Sequence, residues 1–465
     1  MSLTDNEFTR RKRVVVIGGG FAGLNFVKHL DPDAFDVTLV DRNNYHSFPP
    51  LFYQVASSGL DPASICFPLR RELRKRHGRR VRFSMGRVEE IDTVGHRVIT
   101  PLEEIPYDIL VVAAGTTNNF FNMGYLAESV YTMKSTAEAL RCRNDILALL
   151  ERASIATSSE ERRRLLDFVV IGGGPTGVEI AGAIGEMKRY VLPREYPLIS
   201  QDEMSITIVE GSDRLLRTMS EDASAAARKS LESLMVNVRL GTNMKEYDPD
   251  RNRVVLADGT QLDASMVIWT AGVTATSFRW KTSAGEEGDG SAAVAHPSFV
   301  GHGGRLMTDT GCRVTGLEDV YALGDISIMS GDPAFPAGHP QLAQVALQQG
   351  RLLARNLNAL SAGKASKVKE FRYDDKGSMA TVGRNRAVVD LKHLRFHGFT
   401  AWMVWMFIHL ISILGMRNKI TVLINWIWAY FNYSTSLRLL IMPSRRPDNN
   451  DLGAFSGKDG SSGDS

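Results

Sequence analysis

Apolar residues along this chain fall into short continuous runs that end in glycine, and the runs come in two matching sets. Residues 13–17 form a nearly all-valine stretch, the pattern of a parallel strand covered on both faces. Gly18-Gly19-Gly20-Phe21-Ala22-Gly23 comes next, then a helix-like stretch to Leu30 and a second strand over 36–40 that ends at Asp41. The same order returns at 168–171, with Gly172-Gly173-Gly174-Pro175-Thr176-Gly177, a helix over 178–190 and a strand over 205–209 ending at Glu210. One chain thus carries two strand–turn–helix–strand units. Runs at 109–113 and 266–269 close the units and lead into Ala114-Gly115-Thr116 and Thr270-Ala271-Gly272. A further run, 320–323, ends in Gly324-Asp325.

Each set has a chemical reading. Gly18 permits the tight turn, Gly20 lets backbone N–H groups approach a pyrophosphate, and Gly23 lets the helix pack on the strand. The helix start offers unpaired N–H groups and partial positive charge to phosphates. Asp41, 18 residues beyond Gly23, stands where a carboxylate accepts ribose hydroxyls. Gly172, Gly174 and Gly177 repeat the spacing, with Glu210 delayed by a Pro-containing insert over 187–204. A carboxylate there repels a 2′-phosphate and favours NADH, although Arg214 stands nearby. Neither turn ends in Gly-Lys-Ser/Thr, so a kinase-like loop is excluded. Candidate cofactor-binding residues are Gly18, Gly20, Phe21, Ala22, Gly23, Asp41, Arg42, Val88, Ala114, Gly115 and Asp325, with Gly172, Gly174, Pro175, Thr176, Gly177, Glu179, Glu210, Ala271 and Gly272. Two adjacent dinucleotide sites suggest a nicotinamide passing a hydride to a flavin, with the protein aligning the rings.

At 465 residues the chain suits two or three domains, and 23% charged with 43% hydrophobic residues describes an ordinary globular protein. A net charge of +3 gives no reason to invoke nucleic acid. Basic residues gather at Arg70, Arg71, Arg74, Lys75, Arg76, Arg79 and Arg80, a solvated helix face or else a phosphate or lipid contact. Cys66, Cys142 and Cys312 lack any CxxC or CxxxxC spacing, which excludes a local redox pair. No metal site is expected. Residues 1–13 do not read as a secretory signal, because the apolar run after them breaks at Gly18. Residues 281–304 read as an exposed Gly/Ser/His-rich loop, and 443–465 as a disordered tail.

Further segments carry a resemblance. They are Asn44-Tyr45-His46-Ser47-Phe48-Pro49-Pro50-Leu51-Phe52-Tyr53-Gln54-Val55-Ala56, Gly174-Pro175-Thr176-Gly177-Val178-Glu179, Gly324-Asp325, and the AQxAxQ pattern within 340–350. On these, from about residue 13 to 442, the chain resembles type II NADH dehydrogenases, the single-subunit, non-pumping NADH:quinone oxidoreductases. The resemblance implies non-covalent FAD, NADH, and a membrane quinone, ubiquinone or menaquinone. It also implies a respiratory role, a homodimer, and a place on the cytoplasmic face of the cell membrane. It assigns Gln344 and Gln348 to the quinone site; they are i and i+4, on one helix face. It sets Asp325 at the FAD ribityl and phosphate region, and Lys376 near the flavin, where the plain alternative is a surface turn lysine. Glu179 either orients nicotinamide and tunes charge transfer or steadies a helix N-terminus. The rivals are a sulfide:quinone oxidoreductase, which needs paired cysteines near the flavin, and a redox-sensing protein that holds both cofactors without turnover.

The last apolar segment adds a membrane. Residues 396–416 hold no Asp, Glu, Lys or Arg, and 420–437 form a second such stretch after Arg417 and Lys419. Trp402, Trp405, Trp426, Trp428, Tyr430 and Tyr433 lie there, a density that suits the bilayer interface. Spanning is opposed by His409 and Ser412 in mid-segment and by the short connection. Helices lying in the membrane surface are favoured over a buried or dimer-forming pair. The expected fold is α/β: two Rossmann-like dinucleotide-binding domains plus a C-terminal membrane-associated helical segment. The expected divisions are 10–125 and 301–378 for FAD, 126–300 for NADH, and 379–442 for the membrane.

Overall fold

The structure, a computed structural model, describes residues 11–77, 81–282, 285–287, 297–392, 394–432 and 437–440. The expectations for residues 1–10, Arg79, Arg80, 283–284, 288–296, Tyr433 and 443–465 lie outside the described residues, as do the side chains of Lys75 and Arg76. Six helices build the two turns, their covers and the apolar end: α1 (Phe21–His29), α2 (Leu69–His77), α3 (Pro175–Glu186), α4 (Ala343–Ser361), α5 (Phe399–Ser412) and α6 (Met416–Asn432).

The first sheet runs Val320–Ala322, Ile109–Val112, Lys12–Ile17, Phe35–Asp41, Val81–Met85, and every pair is parallel. Its central strand buries Val14, Val15 and Val16 almost completely, because helices and other strands cover both faces. The second sheet runs Met266–Trp269, Asp167–Ile171, Ser205–Glu210, Asn237–Leu240, again all parallel. In both, the strand before the glycine turn is flanked by the strand after the helix and by the strand that closes the unit. The repetition read in the sequence is therefore a repetition of topology. The second unit enters between two neighbouring strands of the first sheet, Ile109–Val112 and Val320–Ala322. An antiparallel pair, Thr116–Asn118 with Val273–Ala275, links the way in to the way out.

Two close approaches set the layers around the turns. Helix α4 crosses α1 at Gly350, where a Cβ would stand 2.6 Å from the Ala22 carbonyl oxygen. Helix α3 meets a third sheet at Gly182, where a Cβ would stand 3.1 Å from the Gly383 nitrogen. That sheet is antiparallel, Ser378–Thr381, Ala387–Asp390, Arg395–Gly398.

Two expectations need correction. The stretch expected to be a loop from Lys281 begins as a strand: Arg279–Thr282 pairs with Glu90–Asp92 and with Gly285–Glu287. The region 379–442 is not membrane-facing throughout, since its first part is the sheet seated on α3. Only α5 and α6 follow the expected pattern. With 14 and 17 residues they measure about 21 and 25 Å, against about 30 Å of hydrocarbon. No helix among the described residues is long and apolar enough to cross a membrane.

Their faces divide by period. Met403, Phe407 and Ile411 line the exposed side of α5, and Met416, Ile420, Leu423, Ile424, Ile427 and Trp428 that of α6. Trp405 and Trp426 face the other way and are buried, so two of the four clustered tryptophans serve packing and not an outer belt. His409, which argued against spanning, also turns inward; its ring stacks on Trp405 with centroids 4.0 Å apart.

Candidate functional site

The two glycine turns repeat one another's backbone hydrogen bonds. Gly18 and Gly172 have φ of 105° and 107°, and each N–H donates 2.8 Å to the carbonyl of Val40 or Val209 on the next strand. A Cβ on Gly23 would lie 2.0 Å from the Gly18 oxygen, and one on Gly177 1.9 Å from the Gly172 oxygen, so only glycine lets each helix begin there. The middle glycines donate to the acidic residues: Gly19 N to Asp41 Oδ2 at 2.6 Å, Gly173 N to Glu210 Oε2 at 2.5 Å. The second carboxylate oxygen takes a local N–H, from Asn43 at 2.7 Å or Ser212 at 2.8 Å. Burial pushes the Asp41 carboxyl up, while those N–H groups and Arg42 pull it back.

These turns fit dinucleotides on an observation independent of motif. Gly20 and Gly174 stand as N-caps without side-chain caps, and nothing lies within 4 Å of where their Cβ atoms would be. Each helix start thus offers uncapped N–H groups at an open cradle, the arrangement that takes a diphosphate. Around the first turn, Ala114 and Gly115 are half-buried, Val88 is buried and Arg42 is exposed. Around the second, Pro175 and Thr176 are exposed; Ala271 lies 2.9 Å from where a Gly172 Cβ would stand, and Gly272 lies against the Phe121 ring.

Asp325 follows the last strand of the first sheet. Gln349, buried on α4, accepts from Gly324 N at 2.7 Å, and Gln341 donates to the Asp325 carbonyl at 3.0 Å. Burial raises the Asp325 carboxyl, opposed by the charges of Lys134 and Arg305. Lys134 is in turn lowered by burial and donates 3.2 Å to Thr116 Oγ1. Sequence reasoning missed Lys134, Arg305, Gln349 and also His46, whose ring lies 2.9 Å from the Gly19 oxygen and is held neutral by burial, near 4.

Glu179 is buried in the middle of α3. Burial pushes its carboxyl up to about 8, and the backbone N–H of Thr381 opposes this by donating to it. The partner is thus the third sheet and not the first turn of its own helix. Tyr53 lies beside it, raised by burial and then by the Glu179 charge. Gln54 donates 2.8 Å to the Tyr53 hydroxyl and accepts 2.8 Å from Trp426 on α6. A line of hydrogen bonds therefore joins α6 to the neighbour of the buried acid.

The glutamines on α4 are engaged with the chain itself. Gln344 donates 2.9 Å to the Gly377 carbonyl and accepts from Lys376 N at 3.2 Å. Gln348 donates 2.9 Å to the Asp374 carbonyl and accepts from Asp374 N at 3.0 Å. Both amides brace residues 374–377 and do not stand free, although each nitrogen keeps one further hydrogen. Lys376 is an exposed turn lysine whose ammonium pairs with Asp374. The cysteines are free, with Cys142 and Cys312 buried in separate cores.

Comparison with known proteins agrees with this architecture. The pyridine nucleotide-disulphide oxidoreductase family matches residues 12–350, and the NDH2 C-terminal domain matches residues 376–432. The chain is 34% identical over 426 residues to the type II NADH:quinone oxidoreductase Ndh of Mycobacterium tuberculosis, covering 90% of this chain and 88% of that one. It is 29% identical to a mitochondrial internal alternative NAD(P)H-ubiquinone oxidoreductase A1 of Arabidopsis thaliana, over 90% and 84% of the two chains. The solved NDH2 of Plasmodium falciparum in complex with NADH has the same fold, with a TM-score of 0.82 at 21% identity over 93% of this chain and 100% of that one. A sulfide:quinone oxidoreductase of Aquifex aeolicus shares the fold less closely, with a TM-score of 0.65 at 16% identity over 91% and 96%. A relative 34% identical over 90% of the chain, with an NDH2 C-terminal domain following the oxidoreductase domain, places it plainly: the chain is a member of the type II NADH:quinone oxidoreductases.

Proposed function

We propose that this chain oxidises NADH at the second glycine turn and reduces a membrane quinone, ubiquinone or menaquinone, on the side of the first, without pumping protons. The observation that carries the reading is the duplication itself, an open helix start with its own carboxylate in each unit. FAD, when bound, would supply the redox chemistry that links NADH to quinone. The chain does the rest. The first-turn N–H groups of α1 and α3 hold the two diphosphates, and Asp41 and Glu210 accept ribose hydroxyls. Negative charge at Glu210 repels a 2′-phosphate, so NADH is the preferred donor. Arg42, Val88, Ala114, Gly115 and Asp325 line the FAD side, and Ala271, Gly272, Pro175 and Thr176 the NADH side. Residues 10–125 with 301–378 act as the FAD unit and 126–300 as the NADH unit.

Glu179, protonated near neutral pH, presents a neutral acid that takes part at the nicotinamide. Gln344 and Gln348 hold residues 374–377 with one amide hydrogen each and direct the other to quinone oxygens, beside Lys376. The exposed apolar sides of α5 and α6 lie in the membrane surface, on the cytoplasmic face, where a lipid-soluble acceptor meets a water-soluble donor. The working unit is a homodimer, checked by light scattering in detergent. Anaerobic mixing tests the reaction: NADH must bleach the flavin rapidly, and added quinone must restore its colour. Bleaching with no reoxidation by any quinone would overturn the acceptor, and no bleaching would overturn the donor.

A further inference from the structure

The basic helix α2 starts beneath the first glycine turn at Leu69, but its described arginines take no part in either nucleotide cradle or in the glutamine brace. Arg70 folds back on the first sheet, its guanidinium 4.8 Å over the Phe83 ring and donating 3.2 Å to the Phe83 carbonyl. Arg71 and Arg74 are exposed and form no ion pair among the described residues. The one acid of this helix, Glu72, is already paired with Lys28, so it does not neutralise them.

This helix borders the apolar pair. Phe67, just before α2, packs on the turn between α5 and α6; its ring is 2.4 Å from where a Gly415 Cβ would lie. The Arg71 guanidinium sits 5.9 Å over that same ring. Asn418, in the first turn of α6, donates 3.1 Å to the Cys66 carbonyl. Arg417 is exposed beside Met416, itself 71% exposed at the edge of the apolar face, and pairs with no described carboxylate. Lys419 differs, donating 2.5 Å to the Ile411 carbonyl and so closing the end of α5.

We propose that Arg71, Arg74 and Arg417 form a cationic rim that binds the anionic headgroups of a phospholipid surface, at the edge of the apolar face of α5 and α6. The proposal rests on the reading that this face lies in the membrane, and adds which lipid it selects. An apolar face partitions into any bilayer and does not discriminate among headgroups. Guanidinium groups at headgroup level do, because an anionic lipid carries a net negative charge that attracts them, whereas the choline ammonium of a zwitterionic lipid offsets its phosphate. Each basic side chain near an anionic leaflet is worth about 1 kcal/mol, or about fivefold in partition, within a Debye length of the surface. Three of them give a preference on the order of a hundredfold.

Flotation of the full-length, flavin-loaded chain with vesicles reads this directly. Vesicles of phosphatidylcholine mixed with phosphatidylglycerol are expected to bind it on the order of a hundredfold more tightly than pure phosphatidylcholine at low salt, with the gap closing as salt rises. Arg71→Gln/Arg74→Gln/Arg417→Gln is expected to bind both vesicles as the unaltered chain binds the neutral ones, with unchanged turnover of a water-soluble quinone. Inorganic phosphate is expected to compete no better than chloride at equal ionic strength; specific displacement would assign the arginines to a free anion and overturn the rim. Equal binding of the unaltered chain to both vesicles overturns the rim alone, as does a full preference that survives the triple substitution. No binding to either overturns the apolar seat and the rim with it. The vesicle and salt comparisons on the unaltered chain hold even if the triple variant folds poorly, and Arg74→Gln alone is expected to lose about fivefold.

Discussion

The two glycine turns are alike in their hydrogen bonds and unlike in what covers them. Even the leucine beneath each matches: Leu69 lies 2.8 Å from where a Gly19 Cβ would be, and Leu215 2.7 Å from that of Gly173. Beyond this the surroundings part. Over the first turn, α4 closes on Ala22 through Gly350, Phe21 is half-buried and His46 bonds the Gly19 carbonyl. Over the second, the equivalent helix start leaves Pro175 and Thr176 exposed, and the packing falls further along α3, at Gly182 and Glu179. Both helix starts are open at Gly20 and Gly174, and the difference lies in the packing around them. On the proposed function, the more closely packed first turn is the one expected to retain its ligand and the second the one expected to exchange it.

The sharpest way to break the comparison is to place one methyl in each turn. Gly23→Ala and Gly177→Ala drive a Cβ against the carbonyl oxygens of Gly18 and Gly172, at 2.0 and 1.9 Å. The first is expected to purify without flavin absorbance. The second is expected to keep its colour and lose one to two orders of magnitude in kcat/KM for NADH, as about 1–3 kcal/mol of overpacking implies. If Gly177→Ala also came out colourless, the division of labour between the turns would be wrong.

Next in size is Glu179→Gln, which leaves flavin bound and lowers turnover by at least about tenfold. Its pH behaviour separates a functional acid from a packing residue. The folded carboxyl titrates near 8 and the unfolded one near 4.5, so the folded state holds the extra proton between these values. The stability from this group is complete below 4.5 and is lost as pH rises through about 8. Melting curves should therefore show Glu179→Gln gaining on the unaltered chain as pH rises, while its activity profile loses the step near 8. A profile that keeps the step assigns it to another group.

The smallest effect belongs to the brace. Gln344→Ala or Gln348→Ala each removes two hydrogen bonds to residues 374–377, at about 1 kcal/mol per bond. Loss of the one amide hydrogen directed at quinone, at about 1 kcal/mol, is expected to raise quinone KM about fivefold with NADH KM unchanged, and loss of the brace to quicken amide exchange at 374–377. Equal shifts in both KM values would place the brace at the wrong substrate.

Where the sequence spoke clearly, distance along the chain was short or the constraint steric. Asp41 and Glu210 end strands that neighbour the glycine strand, so spacing alone points them at Gly19 and Gly173. Other contacts depend on which surfaces meet. Nothing local marks Lys134 or Arg305 as neighbours of Asp325, because three separate segments converge there. The pairing of Gln344 and Gln348 with the backbone of 374–377 is equally remote; the i, i+4 spacing shows a shared face but not what covers it. Trp405 and Trp426 look like belt residues by composition, and only Tyr53 and Gln54 beneath them explain their inward turn.

The position of Val320–Ala322 beside Ile109–Val112 has a consequence for synthesis. Roughly 200 residues separate these neighbours, which a ribosome adds in about 10–40 s. Throughout that interval the nascent first sheet has an unpaired edge, and before it ends every strand of the second sheet, the last at Trp269, has been added. The strands of the inserted unit are therefore all available before the last strand of the first sheet, so the surrounding unit is the last whose sheet can be completed.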